Sequence, residues 1–325
     1  MFRYIALAWD EQLPSVGPTA RRLLLPLQAS SAWQTAFSRP GLQVFISGAV
    51  QGVNEAYPLH AEQGVVLGKL FRLTDLTHVS PRPVVLDARD SDAIVGSGGR
   101  ALVRDYWGRY VSLLRGPSGQ FQVLRDPSGT LPCFLMHVEG VTVVFSWLED
   151  VLGFMPALPR PAVNDDAVAA QLVLGELGGH ETALRGVIQV LPGEAVPLGG
   201  SAEPGTLLWS AIEQAQLSPI EDLTEATQAL RHTVRACAQA WASCYDSILF
   251  RLSGGVDSSI LLSCLAEGLT PARVICVNYH SPGIDSDERR YACLAAARAQ
   301  RGLMPRDAAG VCHRALRPGS WASQH

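Results

Sequence analysis

Lysine is nearly absent from this chain: of its 26 basic residues in 325, only Lys69 is not an arginine. The G-x-x-x-x-G-K-[ST] phosphate loop needs a lysine beside its glycine turn, so that route to nucleotide chemistry is excluded. The preference for arginine is read as a mark of GC-rich coding rather than of phosphate recognition. Charge is also sparse, at 17% of residues with a net charge of −4, which argues against a basic nucleic-acid surface and a polybasic membrane patch. Long apolar runs are missing too. The opening stretch through Trp9 is closed by Asp10 and Glu11 before a signal-peptide core or a membrane span could form, and a cytoplasmic protein is expected. The seven cysteines, at 133, 237, 244, 264, 276, 293 and 312, include no C-x-x-C pair. Neither a zinc site nor a disulfide framework is supported, and most of the cysteines sit in apolar patterns as small buried thiols would. No internal repeat or low-complexity segment is apparent.

What is present is a hydrophobic content of 47% over a length sufficient for two domains with separate cores. Up to about residue 205 the pattern is one of short strands and turns, including residues 43–47, 109–114, 121–125 and 141–146. Gly116-Pro-Ser-Gly119 and Asp126-Pro-Ser-Gly129 provide the turn chemistry between them. An antiparallel, sheet-rich first domain is expected over 1–205. Beyond it, Leu223, Ala226, Leu230, Val234, Cys237 and Trp241 recur at three- and four-residue spacing and predict a long amphipathic helix. A short apolar run at 247–252, a helical pattern from Ile260 to Ala266 and a second apolar run at 273–279 predict a β-α-β unit with parallel strands.

The loop within that unit carries the chemistry. Ser253-Gly254-Gly255-Val256-Asp257-Ser258-Ser259 joins a strand to a helix. Glycines there remove Cβ atoms where backbone must pass close to an anion, and the free N–H groups of the helix start, with the positive end of its dipole, face that anion. Asp257 is placed to hold magnesium against pyrophosphate oxygens. Asp285, Asp287 and Glu288 read as a solvated acidic turn before a helix, with a second carboxylate for magnesium as the alternative, and His280 and His313 as surface or loop residues.

Residues 252–259, LSGGVDSS, resemble the S-G-G-x-D-S signature of the ATP pyrophosphatases, which adenylate a substrate and release pyrophosphate. Other phrases, in order, resemble the asparagine synthetase family: Arg125-Asp-Pro-Ser-Gly129 with Leu131-Pro132, Gly186 through Gly193 with Leu208-Trp209, and Asp287-Glu288-Arg289 with Tyr291-Ala292. The resemblance implies an α+β amidotransferase-like antiparallel sandwich over 1–205. An α/β ATP pyrophosphatase domain with a parallel sheet would follow over 206–300, incomplete at its C-terminus, and then a non-family tail over 301–325. It further implies ATP and Mg²⁺ as cofactors. ATP would be bound by Leu252, Ser253, Gly254, Gly255, Asp257, Ser258, Ser259 and Val277; Asp257 and Ser253 would be catalytic, and Asp257 would hold the metal.

The departures redirect the expected activity. Glutamine-dependent members carry a cysteine after the initiator methionine, and here that residue is Phe2, which offers no nucleophile. The N-G-E glutamine-binding phrase is not found, and Trp107-Gly108 stands where an Asp-Gly would hold glutamine. The phrases at 66–72, 107–110 and 276–279 resemble the lasso peptide macrolactam cyclases. Those enzymes activate an Asp or Glu side chain of a precursor peptide for attack by the peptide's own N-terminal amine, so that proximity supplies much of the rate. The implied function is an ATP-dependent amide ligase acting on a precursor peptide or a small carboxylate, with a leader-peptide-binding or protease protein as partner. An asparagine synthase in the broad sense, or an inactive remnant that only binds ATP or a partner, are the alternatives. The family's second loop, S-G-x-G-x-D-E, is missing, and a C-terminally truncated chain is expected. A tRNA-thiolating enzyme would show a cysteine pair or a basic RNA surface.

Overall fold

The computed structural model describes residues 1–73, 83–156, 158, 160–175, 179–199, 205–217, 219–268, 272–280 and 287–307. The chain divides into two compact units after Pro219.

The first unit contains β1 (Arg3–Trp9), α1 (Val16–Gln28), β2 (Gln34–Arg39), β3 (Leu42–Ser47), β4 (Glu55–Pro58), β5 (Gly64–Arg72), α2 (Ala88–Gly96), α3 (Arg100–Asp105) and β6 (Tyr106–Arg115). It continues with β7 (Phe121–Arg125), β8 (Phe134–Val138), β9 (Val141–Phe145), α4 (Leu148–Phe154), α5 (Asp165–Leu174), β10 (Ile188–Gln189), β11 (Glu194–Pro197), β12 (Thr206–Leu207) and α6 (Ala211–Leu217). Its strands form two six-stranded sheets, ordered β10-β8-β9-β1-β3-β2 and β12-β11-β7-β6-β5-β4. Neighbours within each sheet run antiparallel.

Alternation along the strands builds the layers. Tyr4, Ala6 and Ala8 of β1 and Val44 and Ile46 of β3 pack against Val65 and Leu67 of β5 and Val111 and Leu113 of β6, giving a core between the sheets. The intervening residues Ile5, Leu7 and Phe45 face Ala20, Leu23, Leu24 and Leu27 of α1. Val66, Leu70, Leu114 and Leu124 of the other sheet pack with Ile94, Ala101 and Leu102 of α2 and α3. Burial on both faces removes the polar alternation from these strands.

Phe2 lies in the core between the sheets, so its ring is a packing element. Cys133 is in the same cluster, and burial pushes its thiol up to about 12, far from the thiolate a nucleophile needs. Arg125 donates from its guanidinium to the carbonyls of Leu131 (3.0 Å), Val190 (2.7 Å) and Gly129, tying the turn after β7 to the chain entering β11. The phrases at 66–72 and 107–110 are partners on neighbouring strands, with Lys69 opposite Arg109 and Phe71 opposite Trp107. The rings of the last pair stack at 4.5 Å.

The second unit holds α7 (Leu223–Ala242), β13 (Ser247–Arg251), α8 (Val256–Ala266), β14 (Arg273–His280), α9 (Arg289–Arg298) and β15 (Leu303–Asp307). Its three strands are parallel in the order β13-β14-β15, the parallel pairing that the sequence predicted for the first two. Val274, Cys276, Leu252, Leu262, Leu265, Ala292 and Ala296 form the core under α8 and α9. The predicted amphipathic helix is present as α7, capped by Asp222, whose carboxylate accepts from the Glu225 N–H at 2.7 Å. Among the described residues of this unit its apolar face is not covered along its first half: Leu223 is 81% and Leu230 66% exposed. β15 forms in a stretch whose apolar periodicity fades. Pairing with β14, and the packing of Leu303 on the core, supply what five residues of pattern could not signal. Among the described residues no helix is long and apolar enough to cross a membrane.

Candidate functional site

The loop 252–259 leaves the sheet at the carboxyl end of β13. Ladder pairing runs from Ser247 opposite Arg273 to Arg251 opposite Val277, and the Leu252 N–H then donates to the Val277 carbonyl at 2.9 Å. After that bond β13 and β14 diverge, and the chain turns into α8. Carboxyl ends of parallel strands, where backbone leaves the sheet for a helix, are where α/β folds hold ligands.

The two glycines have different local reasons. Gly254 has φ +104°, and a Cβ there would lie 2.8 Å from the Glu288 carbonyl oxygen and 3.1 Å from the Ala292 nitrogen. The start of α9 therefore sits on Gly254. Gly255 has φ −72° and ψ 170°, and a Cβ there would meet only the Ser253 hydroxyl at 3.5 Å. That position is open, on the side where α8 begins.

The hydroxyls shape the turn. The Gly255 N–H donates to Ser253 Oγ at 3.2 Å, and Ser253 Oγ lies 3.0 Å from Ser258 Oγ. Ser258 and Ser259 donate to the Gly255 carbonyl at 3.2 and 2.8 Å. α8 starts at Gly255 without a side-chain cap, and its first backbone bond at this end is Ser259 N–H to the Gly255 carbonyl at 3.2 Å. The N–H groups of Val256, Asp257 and Ser258 thus belong to the uncapped first turn, where a helix presents its positive end. Asp257 is exposed in that turn and makes no ion pair or hydrogen bond among the described residues, so its carboxylate is free for a cation. The exposed turn of N–H donors, the open Gly255 position and the adjacent free carboxylate fit a phosphate group with its magnesium.

Of the eight candidate residues, seven form this one turn. Val277 stands on the next strand, buried, with its carbonyl already taken by the Leu252 N–H. Asp287 is engaged locally: Arg289 donates to it from Nε at 2.7 Å and from NH2 at 2.5 Å, and these bonds hold its carboxyl at about 2. Asp285 lies outside the described residues.

Sequence reasoning missed Asn278. It is buried at the foot of the loop, and its Nδ2 donates to the Leu252 carbonyl at 2.8 Å and the Ser253 carbonyl at 3.3 Å. The available signal was an amide in an apolar strand, where Asn is disfavoured. Beside the loop, α7 and α8 flank a groove of about 630 Å³ lined by Leu230, Val234, Val256, Ile260 and Cys264 and reaching Gly254 and Gly255.

Comparison with known proteins supports the family resemblance of the second unit. Residues 225–303 match the asparagine synthase family, a span that includes α7 from its third residue, the loop and β14. No curated protein matches the chain. Among solved structures, the chain is similar to the allosteric regulatory enzyme of purine biosynthesis at 10% identity, covering 94% of this chain and 80% of that one with a TM-score of 0.33. It is also similar to glutamine phosphoribosylpyrophosphate amidotransferase from B. subtilis, complexed with ADP and GMP, at 11% identity, 97% and 70% coverage and a TM-score of 0.31. Likenesses this distant carry no argument about the site.

Proposed function

We propose that this protein is an ATP-dependent amide ligase that adenylates a carboxylate and releases pyrophosphate. The observation that carries the reading is the S-G-G-V-D-S-S turn at the uncapped start of α8, inside the segment matching the asparagine synthase family. When bound, ATP would supply an adenylyl group to the carboxylate, and magnesium would neutralise the pyrophosphate released. Val256, Asp257 and Ser258 offer backbone N–H groups to that pyrophosphate, Asp257 holds the metal, and Ser253 with Ser258 keeps the turn in shape through their 3.0 Å hydroxyl contact. Leu252 and Val277 form the buried floor beneath.

The amine comes from the substrate itself in this reading. Phe2 is core packing and Cys133 is a buried, protonated thiol, so neither releases ammonia from glutamine. A precursor peptide whose own amine attacks its activated side chain fits, with macrolactam formation as the outcome and a leader-binding or protease protein as partner. The test is to incubate the protein with α-labelled ATP, magnesium and peptides carrying an internal Asp or Glu. AMP and pyrophosphate are expected, with no stimulation by glutamine; ADP and phosphate, or glutamate release from glutamine, contradict the proposal.

A further inference from the structure

We propose that Asn278 is the positioning residue of the phosphate turn, aiming its first backbone donors; this rests on the ATP reading above. The argument begins with the peptide plane. In a trans peptide the C=O of one residue and the N–H of the next point in opposite directions. Asn278 Nδ2 binds the carbonyls of Leu252 and Ser253, at 2.8 and 3.3 Å. Two consecutive carbonyls are thereby drawn toward β14, and the N–H groups of Ser253 and Gly254 are turned away from it. The next N–H, of Gly255, is held by Ser253 Oγ. One carboxamide therefore orients two peptide planes where the loop leaves the sheet, ahead of the turn that presents the helix donors.

The carboxamide itself has one orientation. Exchanging its oxygen and nitrogen would set an oxygen against two carbonyl oxygens, so the amine side is fixed by its neighbours. Its Oδ1 is buried and has no hydrogen-bond partner among the described residues. An apolar side chain would avoid the cost of that orphan acceptor. What an apolar side chain could not do is hold the two carbonyls. With φ +104° at Gly254, the turn departs from any repeating conformation, and a specific anchor decides which way its peptides face.

The experiment measures binding of inorganic pyrophosphate with magnesium by calorimetry, together with amide hydrogen exchange across 247–260, on the full chain. Asn278→Leu keeps the branched shape of the side chain, with two bulkier methyl ends, and removes the donors. Asn278→Ser retains one hydroxyl donor in a smaller side chain and serves where the leucine variant does not fold. Expected are about a tenfold to hundredfold loss of affinity in Asn278→Leu, the worth of one or two hydrogen bonds to a charged ligand, and a smaller loss in Asn278→Ser. The amides of Leu252 and Gly255, which hold the bonds to the Val277 carbonyl and Ser253 Oγ, should exchange faster while those of β14 keep their protection. A residue serving only stability would lower protection across β14 and leave the affinity of folded protein unchanged. If wild type binds and folded Asn278→Leu or Asn278→Ser binds within twofold of it, the role of Asn278 is overturned while the ATP reading stands. If wild type does not bind pyrophosphate, the ATP reading fails and takes this role with it.

Discussion

Gly254 and Gly255 are adjacent and identical, yet replacing each by alanine should have opposite consequences. Gly254→Ala places a methyl group 2.8 Å from the Glu288 carbonyl and 3.1 Å from the Ala292 nitrogen, at φ +104°. Backbone strain of that kind costs about 1–3 kcal/mol, and forcing a methyl into packed backbone costs about 1–3 kcal/mol more. The sum of roughly 2–6 kcal/mol is a large share of a domain's stability of about 5–15 kcal/mol. Gly255→Ala stands at φ −72°, ψ 170° with only the Ser253 hydroxyl near, at 3.5 Å. It should leave stability unchanged or raise it by up to about 1 kcal/mol through the unfolded chain. In urea, with a slope near 2 kcal/mol per molar, the second unit of Gly254→Ala should unfold about 1–3 M earlier, followed by Trp241 fluorescence. Gly255→Ala should unfold with wild type yet bind magnesium pyrophosphate more weakly, because its methyl enters the open side of the turn. Equal unfolding midpoints for Gly254→Ala and wild type would refute the packing argument, and a destabilised Gly255→Ala would refute the distinction.

Arg125→Ala removes a guanidinium shared by three carbonyls and should destabilise the first unit by roughly 3 kcal/mol or more, measurable by chemical denaturation. Cys133 should resist a thiol reagent at pH 8 under native conditions while exposed Cys293 reacts; mass spectrometry after partial labelling distinguishes them. The same raised thiol gives a sign for alkaline pH. With a folded value of about 12 against 9.0 when unfolded, its contribution is complete below pH 9 and is lost as pH rises toward 12, and Cys133→Ala should flatten that part of the stability profile. Asp287, held at about 2 by Arg289, favours the folded state above the ordinary carboxylate range and loses that contribution as pH falls through 2. Arg289→Ala should return its titration, followed by NMR, to the usual carboxylate range.

The second unit was the more legible part of the chain. β13, the loop, α8 and β14 announce themselves because an apolar run, paired glycines and a helical pattern follow one another without interruption. α7 was equally plain, since its apolar residues keep their spacing over 20 residues. Its exposure was not, because a periodic pattern says which face is apolar and nothing about what covers it. α1 went unread: Gly17, Pro18 and Pro26 lie within VGPTARRLLLPLQ, and such residues signal turns before tertiary packing overrides them. Within the site, the glycines were attributed to a ligand alone, whereas the backbone of α9 accounts for Gly254. Asn278 was invisible because its partners are main-chain carbonyls 25 and 26 residues away, a relation that only the sheet creates.

The most direct measurement is calorimetric binding of inorganic pyrophosphate to the full chain, with and without magnesium, for wild type and Asp257→Asn. The account predicts binding that is strengthened by magnesium in wild type, with the magnesium dependence lost in Asp257→Asn and the fold unchanged by circular dichroism. Absence of binding in wild type, or the same magnesium dependence in Asp257→Asn, would contradict it.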